Sequence, residues 1–190
     1  MLGRRNLPFF FGVAIVIILL VLVLYLIFHH SAPAPSTSRK LETYSNDPSA
    51  QVSMLIDGPV NAPSLHNQVQ IIITDHSSTI NVLKGYNGTI IRSKVYANTA
   101  ASFHVFLRSL MYAEFNTGSN NPNLSEASGY CPLGDRYIFS FNADGSQKQR
   151  YWTTDCPGDP HTFDGNKALC MQLFENQIPD YGSFTGNLNI

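Results

Sequence analysis

Apolar and polar positions divide the chain into three parts. Residues 8–28, PFFFGVAIVIILLVLVLYLIF, carry no charge. About 20 such residues cross a hydrocarbon core as a helix, and a helix satisfies its own backbone there. Residues 29–63 begin with two histidines and then SAPAPSTSR (31–39), which has no apolar period and prolines at alternate positions. That composition predicts an extended, solvated stalk. Within it VSMLI (52–56) has at most the length of a short strand, stopped by Asp57-Gly58-Pro59. Residues 64–190 alternate between strand-like and helix-like periods and are enough for one domain with its own core.

In this third part 69–74 is β-branched, 75–78 is a turn cluster, and 79–84 is a second strand. Asn87-Gly88 is a strong hairpin signal, so 89–97 returns as a third strand. Asn98 or Thr99 caps a helix whose apolar face is Phe103, Phe106, Leu107, Leu110 and Ala113, with Gly118 closing it. Residues 117–129 read as a polar loop. A hairpin follows, with arms 136–141 and 147–154 about Asn142-Ala143-Asp144-Gly145. Residues 166–177 form a second helix on the stripe Leu169, Leu173, Phe174, ended by Pro179, and 183–190 is read as an edge strand. The expected fold class is α+β: an antiparallel sheet with two helices packed on one face, preceded by one transmembrane helix.

The apolar run sets the expected location. Arg4 and Arg5 precede it, and the next positive side chains are Arg39 and Lys40. The positive-inside rule then gives a cytoplasmic N-terminus (1–7), a signal-anchor helix in the bilayer (8–28), a stalk (29–63) and an extracytoplasmic domain (64–190). A cleaved signal peptide is the alternative, but its apolar core runs only about 7–15 residues, and Ala32-Pro33-Ala34 is a poor cleavage site. A type IV pilin leader is disfavoured because Gly3 is followed by two arginines and the first Glu is Glu42. Beyond residue 28, ten Lys+Arg face thirteen Asp+Glu, a net charge of −3. Nothing basic enough to displace counterions from a nucleic acid is present, so no nucleic-acid partner is expected.

Cys131 and Cys156 lie almost equally far from the turn at 142–145. Residues equidistant from a hairpin turn face each other, which brings their Cα atoms toward disulfide range, and an oxidising exterior preserves such a bond. The alternative pair is Cys156–Cys170; otherwise Cys170 is a small buried hydrophobe at the helix stripe. The cysteines lack zinc-ligand spacing. Asp155, Asp159, Asp164 and Asn166 share one loop and offer oxygen ligands for calcium, but without EF-hand spacing; turn and cap duties explain them equally well. No metal or cofactor is expected. The six histidines form no H-E-x-x-H, and neither G-x-S-x-G nor G-x-x-x-x-G-K occurs, so no catalytic residue is assigned. Asn87-Gly88-Thr89 and Asn123-Leu124-Ser125 match the glycosylation tripeptide.

The segment Cys131-Pro132-Leu133, a strand, a turn ending in Asp144-Gly145, a returning strand and Cys156 resembles the subtilisin inhibitor-like domain family. The resemblance implies a protease-binding loop with Leu133 facing the specificity pocket, Gly134 after it, and Cys131–Cys156 bracing both. The family's second disulfide has no counterpart here. Three functions follow as expectations. The first is a non-catalytic binding or envelope-structural role, with Tyr130, Pro132, Leu133, Gly134, Asp135 and Arg136 as contact residues toward an extracellular protein. The second is protease inhibition through Leu133. The third is an envelope hydrolase whose site has no recognisable motif.

Overall fold

The computed structural model describes residues 17, 19–21, 40–188 and 190. Contacts divide the chain into two units, 1–38 and 39–190. In the first, Ile17 and 19–21 are helical and more than half exposed. The remainder of the expected cytoplasmic segment, membrane span and stalk up to residue 39 lies outside the described residues. Among the described residues no helix is long and apolar enough to cross a membrane.

The second unit is α+β. Its strands are β1 (Gln51–Asp57), β2 (Asn67–Ile73), β3 (Ser77–Lys84), β4 (Thr89–Ala97), β5 (Arg136–Ala143) and β6 (Ser146–Thr154). Its helices are α1 (Ala100–Tyr112), α2 (Lys167–Glu175) and a short α3 (Tyr181–Thr185). All strand pairs are antiparallel, in the order β4-β3-β2-β1-β5-β6. The first four strands form a meander. After α1 the chain returns to the free side of β1 and adds the β5–β6 hairpin.

Alternation builds the core. Val52, Met54 and Ile56 of β1 stand opposite Ile73, Ile71 and Val69 of β2 and opposite Phe141, Phe139 and Tyr137 of β5. These residues share one buried cluster with Phe103, Leu107 and Leu110 of α1 and Phe174 of α2. Both caps are local. Thr99 Oγ1 accepts the Ser102 N–H, and Asn166 Oδ1 accepts the Leu169 N–H, each relieving an unpaired helix donor.

Four expectations change. The domain does not start at residue 64. Gln51–Asp57 is a central strand, not stalk, because its alternate residues fill the gap between β2 and β5. Ahead of it, Leu41 is buried and Tyr44 packs edge-on against Phe141 at 5.1 Å. Asp47 Oδ2 accepts the Asp144 N–H, tying this entry segment to the β5–β6 turn. Secondly, the described residues of 183–190 add no edge strand: Tyr181–Thr185 is helical, with Phe184 buried. Thirdly, Gly118 does not close α1. Glu114 takes the left-handed conformation (φ 56°) just past the helix end. Gly118 instead pairs with Phe163, and a Cβ there would lie 2.3 Å from the Thr162 carbonyl oxygen. Fourthly, the 117–129 loop is not merely solvated. It crosses the outer face of the sheet, where Leu124, Ala127 and Tyr130 join Ile138 and Trp152 in a second small core.

Candidate functional site

β1 ends, β2 begins, the β3–β4 turn forms and β5 begins at the same end of the sheet. The chain's entry segment is bonded to the opposite end, at the β5–β6 turn. Two loops, 58–66 and 131–135, meet at this far end. Val60 N–H donates to the Pro132 carbonyl at 2.8 Å, joining them.

The Cys131–Cys156 disulfide is present, with Cα atoms 5.4 Å apart. The cysteines are not ladder partners, because β5 starts only at Arg136, paired with Thr154. Cys131 is left-handed (φ 46°), and Gly134 N–H donates to the Cys131 carbonyl, so 131–134 is a closed turn. That turn draws Cys131 in toward Cys156. A Cβ on Gly134 would stand 2.7 Å from Cys131 Sγ, so the turn needs glycine there. Leu133, at its tip, is 88 % exposed.

The six expected contact residues separate into two roles. Pro132 and Leu133 face solvent. Gly134 shapes the turn. Tyr130 stacks on Trp152, 5.1 Å between rings, and is half-buried on the outer face. Asp135 is half-buried, and its carbonyl accepts the Asp155 N–H. Desolvation, with repulsion from Asp155, raises its carboxyl above the ordinary aspartate range. Arg136 is buried at 2 % exposure, so it supports the apex and is not a contact.

Arg136 belongs to a polar cluster that holds loop 58–66. Its Nη2 donates to the Gly58 carbonyl at 2.5 Å. Its Nε lies 2.8 Å from Asp57 Oδ2 but off the hydrogen-bond axis, so this contact is ionic. Asp57 Oδ1 also accepts from Gln68 Nε2 at 2.7 Å and meets His66 Nε2 at 2.9 Å. The other ring nitrogen of His66 is 3.1 Å from the Pro59 carbonyl. The buried His66 ring stacks on Tyr86 at 4.1 Å, and Tyr86 Oη donates to the Asn61 carbonyl. Buried charge and stacking thus fix a loop whose Val60 and Leu65 are half or more exposed, beside an equally exposed Tyr86. Sequence reasoning missed these three. The visible signal was three apolar or aromatic side chains standing in Gly/Pro/Asn-rich turns.

No catalytic grouping appears among the described residues. Three histidines contact aspartates: His66–Asp57, His76–Asp75 and His161–Asp164. For His66 and His161 the opposite ring nitrogen meets a backbone carbonyl; His76 Nδ1, which meets Asp75, also lies 3.4 Å from Thr74 Oγ1. The four oxygen residues weighed for calcium serve separate purposes. Asp155 accepts from Tyr137 Oη at 2.8 Å and pairs with Lys167 at 2.5 Å. Asp159 accepts the Cys131 N–H, Asp164 faces His161, and Asn166 caps α2. Asp159 approaches both Cys131 and Cys156, but their sulfurs are bonded to each other. Cys170 is free and buried, which pushes its thiol up to about 12. Comparison of the chain with protein-family models, curated proteins and solved structures finds no match.

Proposed function

We propose that this chain is a membrane-anchored, extracytoplasmic binding domain that contacts a partner protein through the apex formed by loops 58–66 and 131–135. The observation that carries this reading is Leu133: a leucine 88 % exposed, on a turn closed by a disulfide and bonded to a second loop. Exposed apolar side chains on a rigid support are the usual anchors of interfaces, because ordering costs are met before the partner arrives. Val60, Leu65 and Tyr86 extend the same apolar surface. The uncharged run 8–28 and the paired cysteines support an anchor in the bilayer and an oxidising exterior. The entry segment of the domain joins the sheet at the end opposite the apex, which leaves the apex uncovered by it.

Protease inhibition through Leu133 is the second reading, favoured by the same exposure. It requires an extended segment that pairs with the protease as a strand. The Gly134-to-Cys131 hydrogen bond folds that segment into a turn, and the Pro132 carbonyl is already occupied by Val60, so the first reading is preferred.

A photo-crosslinking side chain at position 133 of the full chain, in its native cell, tests the proposal. A discrete adduct is expected, absent when the crosslinker sits at exposed His104 on α1 and lost when Val60 and Leu65 are changed to Asp. No adduct, or equal adducts from both positions, would overturn it. Stoichiometric inhibition of subtilisin or chymotrypsin, lost in Leu133→Asp, would install the second reading instead.

A further inference from the structure

β6 is an edge strand whose outer side is only partly occupied. At Trp152 the chain supplies its own partner: the N–H groups of Thr162 and Phe163 donate to the Trp152 carbonyl, and Thr162 Oγ1 accepts the Trp152 N–H. Trp152 therefore turns both backbone groups outward. In an antiparallel strand the outward direction recurs every second residue, so Arg150 presents its N–H and C=O the same way. Among the described residues no hydrogen bond reaches them, and the segment 162–163 has already turned away to pair with Gly118.

A cleft of about 390 Å³ opens where that segment stops. One wall is 147–150 of β6 and the other is the 119–126 stretch of the loop, with Thr162 closing one end. Its chemistry is specific. The cations are already neutralised: Arg150 Nη2 meets Glu126 at 3.0 Å and Arg150 Nη1 donates to the Ser125 carbonyl, while Lys148 pairs with Asp144 at 3.3 Å. What remains are the side-chain amides of Asn120, Asn121 and Gln147, each offering donors or acceptors to a neutral polar guest. The other edge strand, β4, is exposed along its length, and its Arg92, Lys94 and Tyr96 side chains are engaged with Phe184 and Asp180. Each edge carries one register shift, near Leu83 beside β4 and at Lys148 in β6, and Arg150 lies on the regular side of the latter.

We infer that the open edge of β6 takes an extended segment of a partner polypeptide, which adds as a strand in continuation of Thr162–Phe163 and lies between β6 and the 119–126 loop. Main-chain bonds to Arg150 would supply affinity, and the amides would favour uncharged polar side chains. Gln147 to Arg150 spans less than about 10 Å because of the bulge at Lys148, room for about three extended residues. This site is independent of the apex and does not rest on the function proposed for it.

Random heptapeptides displayed on phage and panned against the full chain in detergent micelles test it. Recovered peptides should slow hydrogen exchange at the Arg150 amide. N-methylation at alternate peptide nitrogens should lower affinity at least ten-fold and spare the intervening ones. Asn120→Trp and Gln147→Trp, both at exposed positions that fill the cleft, should each lower affinity by a similar factor with an unchanged melting temperature. The inference is overturned by failure to enrich any peptide. It is equally overturned by binding indifferent to N-methylation or to both cleft-filling variants, or by chitotriose or maltotriose protecting the cleft where peptides do not.

Discussion

At the scale of single residues the apex contains two kinds of side chain, and they answer differently to substitution. Leu133 has little to lose on folding. Leu133→Asp is expected to change stability by no more than about 0.5 kcal/mol, while abolishing any contact made through the tip. Arg136 is the opposite case. Arg136→Met keeps the bulk but leaves Asp57 Oδ2 and the Gly58 carbonyl without their partner, and is expected to cost about 3 kcal/mol, the low end for a broken buried pair, since Asp57 Oδ1 keeps Gln68 and His66 and 19 % of the side chain stays in water. Urea melts of both variants separate the two. Asp135 adds a pH dependence. Its raised carboxyl means that the folded state holds the proton more tightly than the unfolded one. Its contribution is most favourable at acid pH, below the unfolded value of about 3.9, and is lost as pH rises through the folded value. Asp135→Asn should therefore melt higher than the parent at pH 7, with the gap closing as pH falls toward 3.5. A constant gap across that range would show that the carboxylate's charge is not the cause.

At the scale of elements, local signals read well and long-range ones did not. The β5–β6 hairpin is legible because Asp144 and Gly145 both take positive φ, the conformation that Asp-Gly favours between two alternating strands. Nearly equal distance to that turn pointed to the cysteine pair, but not to how it is made: Cys131 reaches Cys156 through the 131–134 turn and not as a ladder partner. The helix caps at Thr99 and Asn166 likewise act within three residues. Gln51–Asp57 was legible only as a short strand within the stalk, because its alternation is brief and sits among Ser, Pro and Asn; its central place comes from two partners, one of them about 80 or more residues away. Tyr181–Thr185 was misread because a few residues carry no decisive period. The Asp57–His66–Arg136 cluster was illegible for a similar reason: no spacing rule links 57 to 136. The disulfide is an element-scale device with a testable effect. It spans 25 residues of sequence, and a loop of that size is worth about 3 kcal/mol in the chain-entropy model. Replacing Cys131 and Cys156 together by Ser should lower stability by about that amount. Amide exchange should quicken first at 131–135, and the β5–β6 ladder should keep its protection. Uniform loss across the sheet would mean that the bond holds the fold and not the turn.

For the whole molecule the decisive feature is the position of β1. The return of the chain to β5 after α1 makes β1 the strand between the meander and the final hairpin. Without it, β2 and β5 have no common partner, and Ile71, Val69, Phe139 and Tyr137 lose the row of Val52, Met54 and Ile56 that they pack beside. Residues 40–50 are needed as well, since Leu41 and Ala50 are buried and Asp47 bonds the hairpin turn. A fragment starting at residue 64, where the loss of alternation first suggests a boundary, should therefore not fold: no cooperative melt, and circular dichroism of a largely unstructured chain. A fragment of residues 40–190 should melt cooperatively, with near-ultraviolet dichroism from the buried Trp152. Adding residues 51–63 alone to the shorter fragment should restore the sheet but leave it less stable than 40–190, because the entry segment's contacts would still be missing. If the fragment from 64 melts cooperatively by itself, β1 is an accessory strand and the end of the sheet that presents Leu133 is not built on it.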